Sequence, residues 1–350
     1  MFSFLEGSAQ KVDSFFIFRK EEKMILVENY APLNGETLEE YKYRMFKLKK
    51  EENMKWNDIQ FLLAHYFDYY KSTDFIRHES YSARKVEEIA DINVGNRILC
   101  ISDTHVPFQL EVENLKDYRN KVDILVFNGD IMDCQSLSKF SKNYRVSMME
   151  EMIKTREFMI EVIEYINPKK VLINYGNHEQ RFMNYLAKKL DADMLEFMPE
   201  TALDLICEQG FKHYDHRLRT KVYYEPLVQV FEHSDVEIEY THKWWCKVGK
   251  TIMAHPSAYS QGILKTSEKA MDFFLRERVD FDTMVLAHTH KVGFTKIGEI
   301  FIYEQGCLSD SSELTYTDGK LYTKQQNGFI YLVQDKIGNL LYDKTKLVLL

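Results

Sequence analysis

The sequence predicts an α/β protein with a small helical segment in front of it. From Arg97 onward, apolar runs of four or five residues alternate with stretches of helical length, which is the pattern of βα units. From Thr37 to about Ala90, by contrast, apolar residues recur at helical spacing. A third observation ties the apolar runs together: five of them end in a turn carrying Asp, Asn or His. The expected division is a helical segment over residues 1–92 and an α/β domain over residues 93–350.

Length and composition agree. The chain has 350 residues, 45% of them hydrophobic, enough for a sizeable core. Its net charge of -8 offers no global basic field for nucleic acid. The five cysteines are odd in number, widely spaced and free of any CxxC pair. That excludes a disulfide framework and a thiolate zinc site, and points to buried reduced thiols in a cytoplasmic protein. Met1 to Tyr30 shows no secretory signal, and no apolar run reaches membrane-spanning length.

The elements follow in order. Phe15 to Phe18 and Met24 to Val27 read as two short strands of a hairpin, and Pro32-Leu33-Asn34-Gly35 as a turn. Thr37 followed by Leu38-Glu39-Glu40 reads as a helix N-cap with an acidic first turn. Leu38, Tyr41, Met45 and Leu48 then form one helix face. Trp56 to Tyr70 gives a second helix and Ser72 to Ala90 a third, together resembling a helix-turn-helix appendage. The basic residues Lys42, Arg44, Lys47, Lys49 and Lys50 read either as a solvated helix face or as a DNA contact.

In the second part, strands are expected at Arg97–Ile101, Val122–Phe127, Lys170–Asn174, Thr251–Ala254 and Thr283–Ala287. Helices are expected at Glu111–Asn120, Val146–Ile166, Glu179–Leu190 and Ile263–Arg278. The tail from Gly293 is strand-like, with turn signals at Asp318-Gly319 and Asn327-Gly328.

In α/β sheets, ligands bind beyond the carboxyl ends of the strands. The five strand ends run into Asp103-Thr104-His105, Gly129-Asp130-Ile131-Met132-Asp133, Gly176-Asn177-His178-Glu179, His255 and His288-Thr289-His290. Converging, they could hold two metal ions, the usual protein tool for attacking a phosphate ester. Oxygen ligands mixed with imidazoles suit Mn, Fe, Zn or Mg.

This ordered set (Asp-x-His, Gly-Asp-x-x-Asp, Gly-Asn-His-Glu, a lone His, His-x-His) resembles the calcineurin-like metallophosphoesterase superfamily over roughly residues 97–305. The resemblance implies a β-sandwich of two mixed sheets flanked by helices, which replaces a plain doubly wound sheet. It also implies roles. Asp103, His105 and His290 would bind one metal. Asn177, His255 and His288 would bind the other, and Asp130 would bridge both. Water activated by the pair would attack phosphorus. His178 would stand beside the leaving oxygen, and Asp133 would fix the tautomer of His178. Two divalent cations are implied, Mn first, with Fe, Zn, Mg or Ni as alternatives.

Several histidines compete for attention. His242 rivals His255, which fits the strand-end rule better. His65, His78, His213, His216 and His233 read as surface residues. Asp117 and Asp123 read as solvated, and Trp244-Trp245 with Tyr240 as core or pocket wall rather than a base-stacking platform. Protein Ser/Thr phosphatases carry Arg directly after the second Asp of the second motif; here that position is Cys134. The layout most resembles the DNA-repair exonuclease-like metallophosphoesterases of phages and bacteria. That implies a nucleic acid substrate, no membrane partner, a homodimer, and the cytoplasm of a bacterium or phage-infected host. The competing readings are a phosphatase or diesterase of nucleotides or cyclic nucleotides, favoured by the acidic pI, and a DNA-binding scaffold with a vestigial phosphoesterase fold.

Overall fold

Thr37 opens the first helix with a reciprocal cap: its hydroxyl accepts from Glu40 N while Glu40 accepts from Thr37 N at 2.8 Å. The structure, a computed structural model, describes residues 27–33, 35–81, 93–138, 146–258, 260, 262, 264–310 and 325–350. The expected hairpin strand Phe15 to Phe18, most of Met24 to Val27 and the Asp318-Gly319 turn lie outside these residues.

The chain divides into two compact units, residues 1–92 and 93–350. In the first, helices α1 (Leu38–Glu51), α2 (Trp56–Phe67) and α3 (described over 73–81) enclose a small core. Tyr41, Met45, Ile59, Leu62, Leu63 and Ile76 form it. Among the clustered basic residues, Lys42, Arg44 and Lys49 are engaged within this unit, Lys49 with its Nζ 4.8 Å from the Trp56 ring centroid. Lys42 is buried and pairs with Glu39 at 2.6 Å and Glu79 at 3.1 Å, and Arg44 pairs with Glu36 at 2.8 Å.

The second unit is built on two mixed sheets. The first takes its strands in the order β13-β12-β1-β2-β3-β6. They are β1 (Val94–Ile101), β2 (Ile124–Asn128), β3 (Lys170–Asn174), β6 (Glu237–Tyr240), β12 (Gly328–Asp335) and β13 (Lys346–Leu349). Strands β1, β2, β3 and β6 run parallel, and β12 and β13 close one edge antiparallel. The second sheet has the order β10-β11-β9-β8-β7. Its strands are β7 (Trp245–Val248), β8 (Thr251–Ala254), β9 (Thr283–Leu286), β10 (Val292–Ile297) and β11 (Ile300–Gln305). A separate hairpin pairs β4 (Phe211–Asp215) with β5 (Thr220–Tyr224).

Alternation along each strand sorts its residues between two cores. Ile98, Cys100, Val126 and Leu172 face Met253, Val285 and Tyr303 in the interior between the sheets. Leu99, Leu125, Phe127, Val171 and Ile173 face outward onto Met159, Val162, Ile163 and Ile166 of α4 (Met148–Ile166). On the other sheet Ile252, Met284, Leu286 and Ile302 pack under Ala270, Met271 and Phe274. The result is helix, sheet, sheet, helix. Trp244 and Trp245 pack on Phe274, with ring centroids 5.4 and 5.3 Å away, as wall rather than platform.

Shorter helices fill the long connection after β3. They are α5 (Gln180–Ala187), α6 (Ala192–Leu195), α7 (Ala202–Asp204), which runs into a π-helical turn at Leu205–Gln209, and α8 (Leu227–Val230). The last helix is α9 (Lys265–Arg276).

Three expectations need correction. The helix expected at Glu111–Asn120 is a 3₁₀ segment, Val112–Tyr118, which buries only Val112 and Leu115. Asn327-Gly328 is no turn: Gly328 opens β12, paired with Leu349, and a Cβ there would strike the Val348 carbonyl. Asp123 is not a free solvated carboxylate, since it accepts from Arg97 N at 3.0 Å and pairs with Lys169 at 2.7 Å.

Two buried asparagines stitch the sheets together near their carboxyl ends. Asn174 Nδ2 donates to Asn128 Oδ1 at 2.9 Å and to the Met253 carbonyl at 3.2 Å. Asn128 Nδ2 reaches the Ala254 carbonyl at 3.3 Å. These bonds bring the ends of β2, β3 and β8 to one place, the place where the motifs begin.

Candidate metal centre

Five residues of the motifs hold a left-handed backbone that non-glycine residues avoid. They are Asp103 (φ 50°), His105 (47°), Asp130 (47°), His288 (76°) and His290 (52°). Such conformations cost roughly 1–3 kcal/mol each and persist where the surroundings enforce them. Here the loops enforce them on one another. Asp103 N donates to the Gly129 carbonyl at 3.1 Å, His105 N to the Asp130 carbonyl at 3.1 Å, and His288 N to Asp103 Oδ2 at 3.1 Å. Each turn swings its side chain back over the sheet edge.

Two glycines make room for this. Gly129 has φ +80°, and a Cβ on it would lie 2.7 Å from the His255 ring. A Cβ on Gly176 would collide with the Asp130 carboxylate.

The structure gathers six of the seven residues expected to bind metal, and Asn177, the seventh, lies beside them in the third motif. Asp103, His105 and His290 form one group, with His290 Nε2 3.0 Å from Asp103 Oδ1 and 3.2 Å from His105 Nε2. Asp130, His255 and His288 form a second, with His255 Nε2 3.2 Å from Asp130 Oδ2. Asp130 Oδ2 also lies 4.0 Å from His105 Nε2, so its carboxylate faces both groups. Each group draws on both sheets: β1 with the end of β9 in the first, β2 with the ends of β8 and β9 in the second. Asn177 stands between Gly176, packed on Asp130, and His178, whose N–H donates to Asp130 Oδ1 at 2.8 Å.

These residues fit divalent cations. The Oδ1 of Asn177 is buried without a hydrogen-bond partner, a costly state that a metal bond would relieve. His255 Nδ1 is within 2.8 Å of the Asn128 carbonyl. With Nδ1 donating there, Nε2 is directed to the centre as a ligand requires.

The electrostatics of the centre say the same. Burial pushes the Asp103 carboxyl up, but His255 and His290 outweigh it and hold it below the usual carboxylate range. Asp130 is likewise held low against burial by His178 and His255. Burial pulls His255 down, yet Asp130 and Asp103 raise it to about 9. His288 is pulled down to about 4 by burial and by His255. Fully buried carboxylates thus demand positive charge, and protons on imidazoles supply part of it.

Beside the two groups stands His178, with Nε2 3.7 Å from Asp130 Oδ2. Its Nδ1 lies 2.9 Å from the Asp133 carbonyl and 3.1 Å from Asp133 Oδ1. Asp133 therefore reaches His178 through backbone and side chain together. The same carboxylate lies 3.3 Å from His105 Nδ1, so it orients two imidazoles rather than one.

Glu179, quoted in the third motif, and Arg181 were given no role by the sequence. Glu179 is fully buried, and its carboxylate accepts from Asp130 N, Ile131 N, Met132 N and Gly176 N at 2.7–3.0 Å. It locks the second motif to the third. Burial and the neighbouring Asp130 push its carboxyl up. Arg181 places Nη2 2.7 Å from His178 Nε2 and Nη1 2.8 Å from the Asp133 carbonyl. The signal for Arg181 was its spacing, three residues past His178 at a helix start.

The rival histidines lie elsewhere. His242 is exposed and pairs with Asp204 at 3.3 Å and Glu208 at 3.1 Å. His65, His78, His216 and His233 are exposed, and His213 is half-buried. All five cysteines are buried and free; burial pushes the Cys134 thiol far up.

The family model described as calcineurin-like phosphoesterase matches residues 96–292. No curated protein matches the chain in sequence. Among solved structures, Vacuolar Protein Sorting 29 from Cryptosporidium parvum aligns at 15% identity and a TM-score of 0.35, over 74% of this chain and 98% of its own. A novel archaeal phosphodiesterase aligns at 14% identity and a TM-score of 0.33, over 73% and 99%. A metallophosphoesterase from Sphaerobacter thermophilus aligns at 14% identity and 0.32, over 69% and 84%.

Proposed function

Since the chain belongs to the calcineurin-like phosphoesterase family and is a metal-dependent phosphoester hydrolase, we propose that its substrate is a phosphodiester, namely the backbone of nucleic acid. The observation that carries the choice of a diester is Arg181. A diester carries one negative charge, and one guanidinium beside His178 matches it. The place where protein phosphatases carry an arginine is filled by the buried thiol of Cys134.

In this reading Asp103, His105 and His290 hold one divalent cation, and Asn177, His255 and His288 the other, with Asp130 shared. Manganese comes first, with Fe, Zn, Mg and Ni as alternatives, because mixed carboxylate, amide and imidazole donors suit all of these. When bound, the pair supplies Lewis-acid activation of water and neutralises charge on the phosphate.

The protein's own groups do the rest. Arginine only donates hydrogen bonds, so Nε2 of His178 is the acceptor in its contact with Arg181 and Nδ1 carries the proton. Arg181 exchanges that bond for a phosphate oxygen when substrate enters. This frees Nε2 of His178 to take a proton from solvent and pass it to the leaving oxygen. Asp133 keeps the ring in place throughout.

A panel of substrates tests the reading. It comprises bis-p-nitrophenyl phosphate, p-nitrophenyl phosphate, cyclic nucleotides, and single- and double-stranded DNA and RNA, each with Mn, Mg, Zn or Ni. Hydrolysis of the synthetic diester and of an oligonucleotide, absent in Asp130→Asn, is expected. Brisk turnover of the monoester or of cyclic nucleotides with every nucleic acid left intact would replace this reading with the small-molecule one.

A further inference from the structure

Strands β4 and β5 form a ribbon separate from both large sheets. Its register pairs Lys212 with Tyr223 and Tyr214 with Lys221. Cross-strand partners and residues two apart share a face, so these four side chains project from one side in a checkered pattern. All four are exposed. The opposite side carries Phe211, His213, Val222 and Tyr224, buried or half-buried, with Phe211 stacked on Tyr224 at 5.1 Å.

A ribbon that only had to cover the core would present polar residues outward. This one leaves Tyr214 and Tyr223 each nearly half exposed, at 45% and 46%, and Leu218 at the tip 66% exposed. Lys212 Nζ lies 5.9 Å from the Tyr223 ring centroid, and the Tyr223 hydroxyl reaches the Gln209 carbonyl at 3.5 Å, so this ring is held in place.

The charge of the ribbon opposes that of the chain. Lys212, Arg217, Arg219 and Lys221 face a single acid, Asp215, in a protein of net charge -8. Asp215 is occupied within the turn, accepting from Arg217 N at 2.7 Å and Leu218 N at 3.0 Å.

We propose that this face binds single-stranded nucleic acid, the lysines and arginines on phosphates and the two tyrosines under bases. The inference rests on the nucleic-acid reading of the metal centre and narrows it to unpaired strands. Bases of a duplex are stacked on one another and offer no free ring face, whereas those of a single strand do. An acidic protein or an anionic membrane would meet the same cations; what favours a strand is the alternation of cation and ring across the face, which matches alternating phosphate and base.

The test uses the full chain carrying Asp130→Asn, so that binding is read without cleavage. Its affinity for a fluorescein-labelled dT20, for a 20-base-pair duplex and for phosphatidylserine vesicles is measured between 50 and 300 mM salt. Expected are tightest binding to dT20, a loss of roughly tenfold for each of Tyr214→Ala and Tyr223→Ala, and near-parent binding for the Phe variants, which keep the ring. Lys212→Ala with Lys221→Ala should flatten the plot of log affinity against log salt by about 1.4. Circular dichroism and melting of each variant show whether the ribbon is still folded.

Three results overturn the inference. If the parent binds dT20 and the folded ribbon variants bind it equally with the same salt slope, the ribbon is not the site, while the nucleic-acid reading stands. If duplex or vesicles bind better than dT20, the single-strand assignment fails. If neither dT20 nor the duplex binds even at 50 mM salt, both readings fall together.

Discussion

Arg181 Nη2 lies 2.7 Å from His178 Nε2, a cation donating to the atom proposed to face the leaving group. The contact holds His178 in one tautomer and parks a guanidinium one side chain from Asp130. Arg181→Ala should lower kcat/KM on bis-p-nitrophenyl phosphate by about 10–100-fold, the range for hydrogen bonds to charged groups. Arg181→Lys should recover only part, since an ammonium lacks the planar fork. Metal content by atomic absorption should match the parent in both variants. Full activity of Arg181→Ala would reduce the residue to a surface helix side chain.

Glu179 is predicted to act through stability. Four backbone N–H groups converge on its carboxylate. Glu179→Gln replaces one accepting oxygen by a donor, leaving at least one buried N–H facing another. A cost of about 2–4 kcal/mol is expected, read as a fall in Tm by differential scanning calorimetry. An unchanged Tm would mean the loops hold each other without it.

Gly129→Ala sets a methyl 2.7 Å from the His255 ring at a backbone angle of +80°. The variant should keep its far-UV circular dichroism and lose most of its metal and more than 90% of its activity, because displacing His255 costs far less than unfolding the sheets. Retention of both metal and activity would show that the ring has room to retreat.

Protons and metal ions compete for the same imidazoles, and the pH dependence of stability should change sign between the two states. In protein stripped by chelation, His255 titrates near 9, above its ordinary value of about 6.5. Its stabilising contribution is therefore complete below pH 6.5 and lost as the pH rises through 9. Metal-loaded protein needs the same nitrogen bare, so its stability should climb over that interval. Melting temperatures at pH 6 and pH 9, with and without chelator, give the two slopes. Parallel slopes would remove His255 from the ligand set.

Loading should also raise Tm at constant pH, because cations held only by the folded chain add to its stability. A Tm indifferent to chelation at pH 7.5 would argue that the loops are fixed by their hydrogen bonds alone.

The candidate metal-binding side chains were legible in the sequence because each follows an apolar run, and strand ends are where parallel sheets gather ligands. Thr37 was legible because a cap is a local matter of four residues. Asn327-Gly328 was misread because its role is set by Leu349 and Cys307, distant in sequence, and not by its own turn propensity. The roles of Arg181 and Glu179 were harder to read for a related reason. Asp133 and the backbone of Asp130–Met132, which they reach, lie about fifty residues upstream, and only the contact of Arg181 with His178, three residues away, had a spacing to announce it. The division of the strands between two sheets was equally hidden: β8 and β9 look like β2 and β3 in isolation, and only pairing separates them.

Each candidate metal takes ligands from both sheets, and that has a consequence for how the enzyme could be tuned. The side chains between the sheets, Val126, Met253 and Val285 among them, act as the spacer of a caliper whose jaws are the two ligand sets. Thinning that spacer by a methyl group would draw the jaws together without touching a ligand. The preference for one cation over another could therefore be adjusted from the dry interior of the protein.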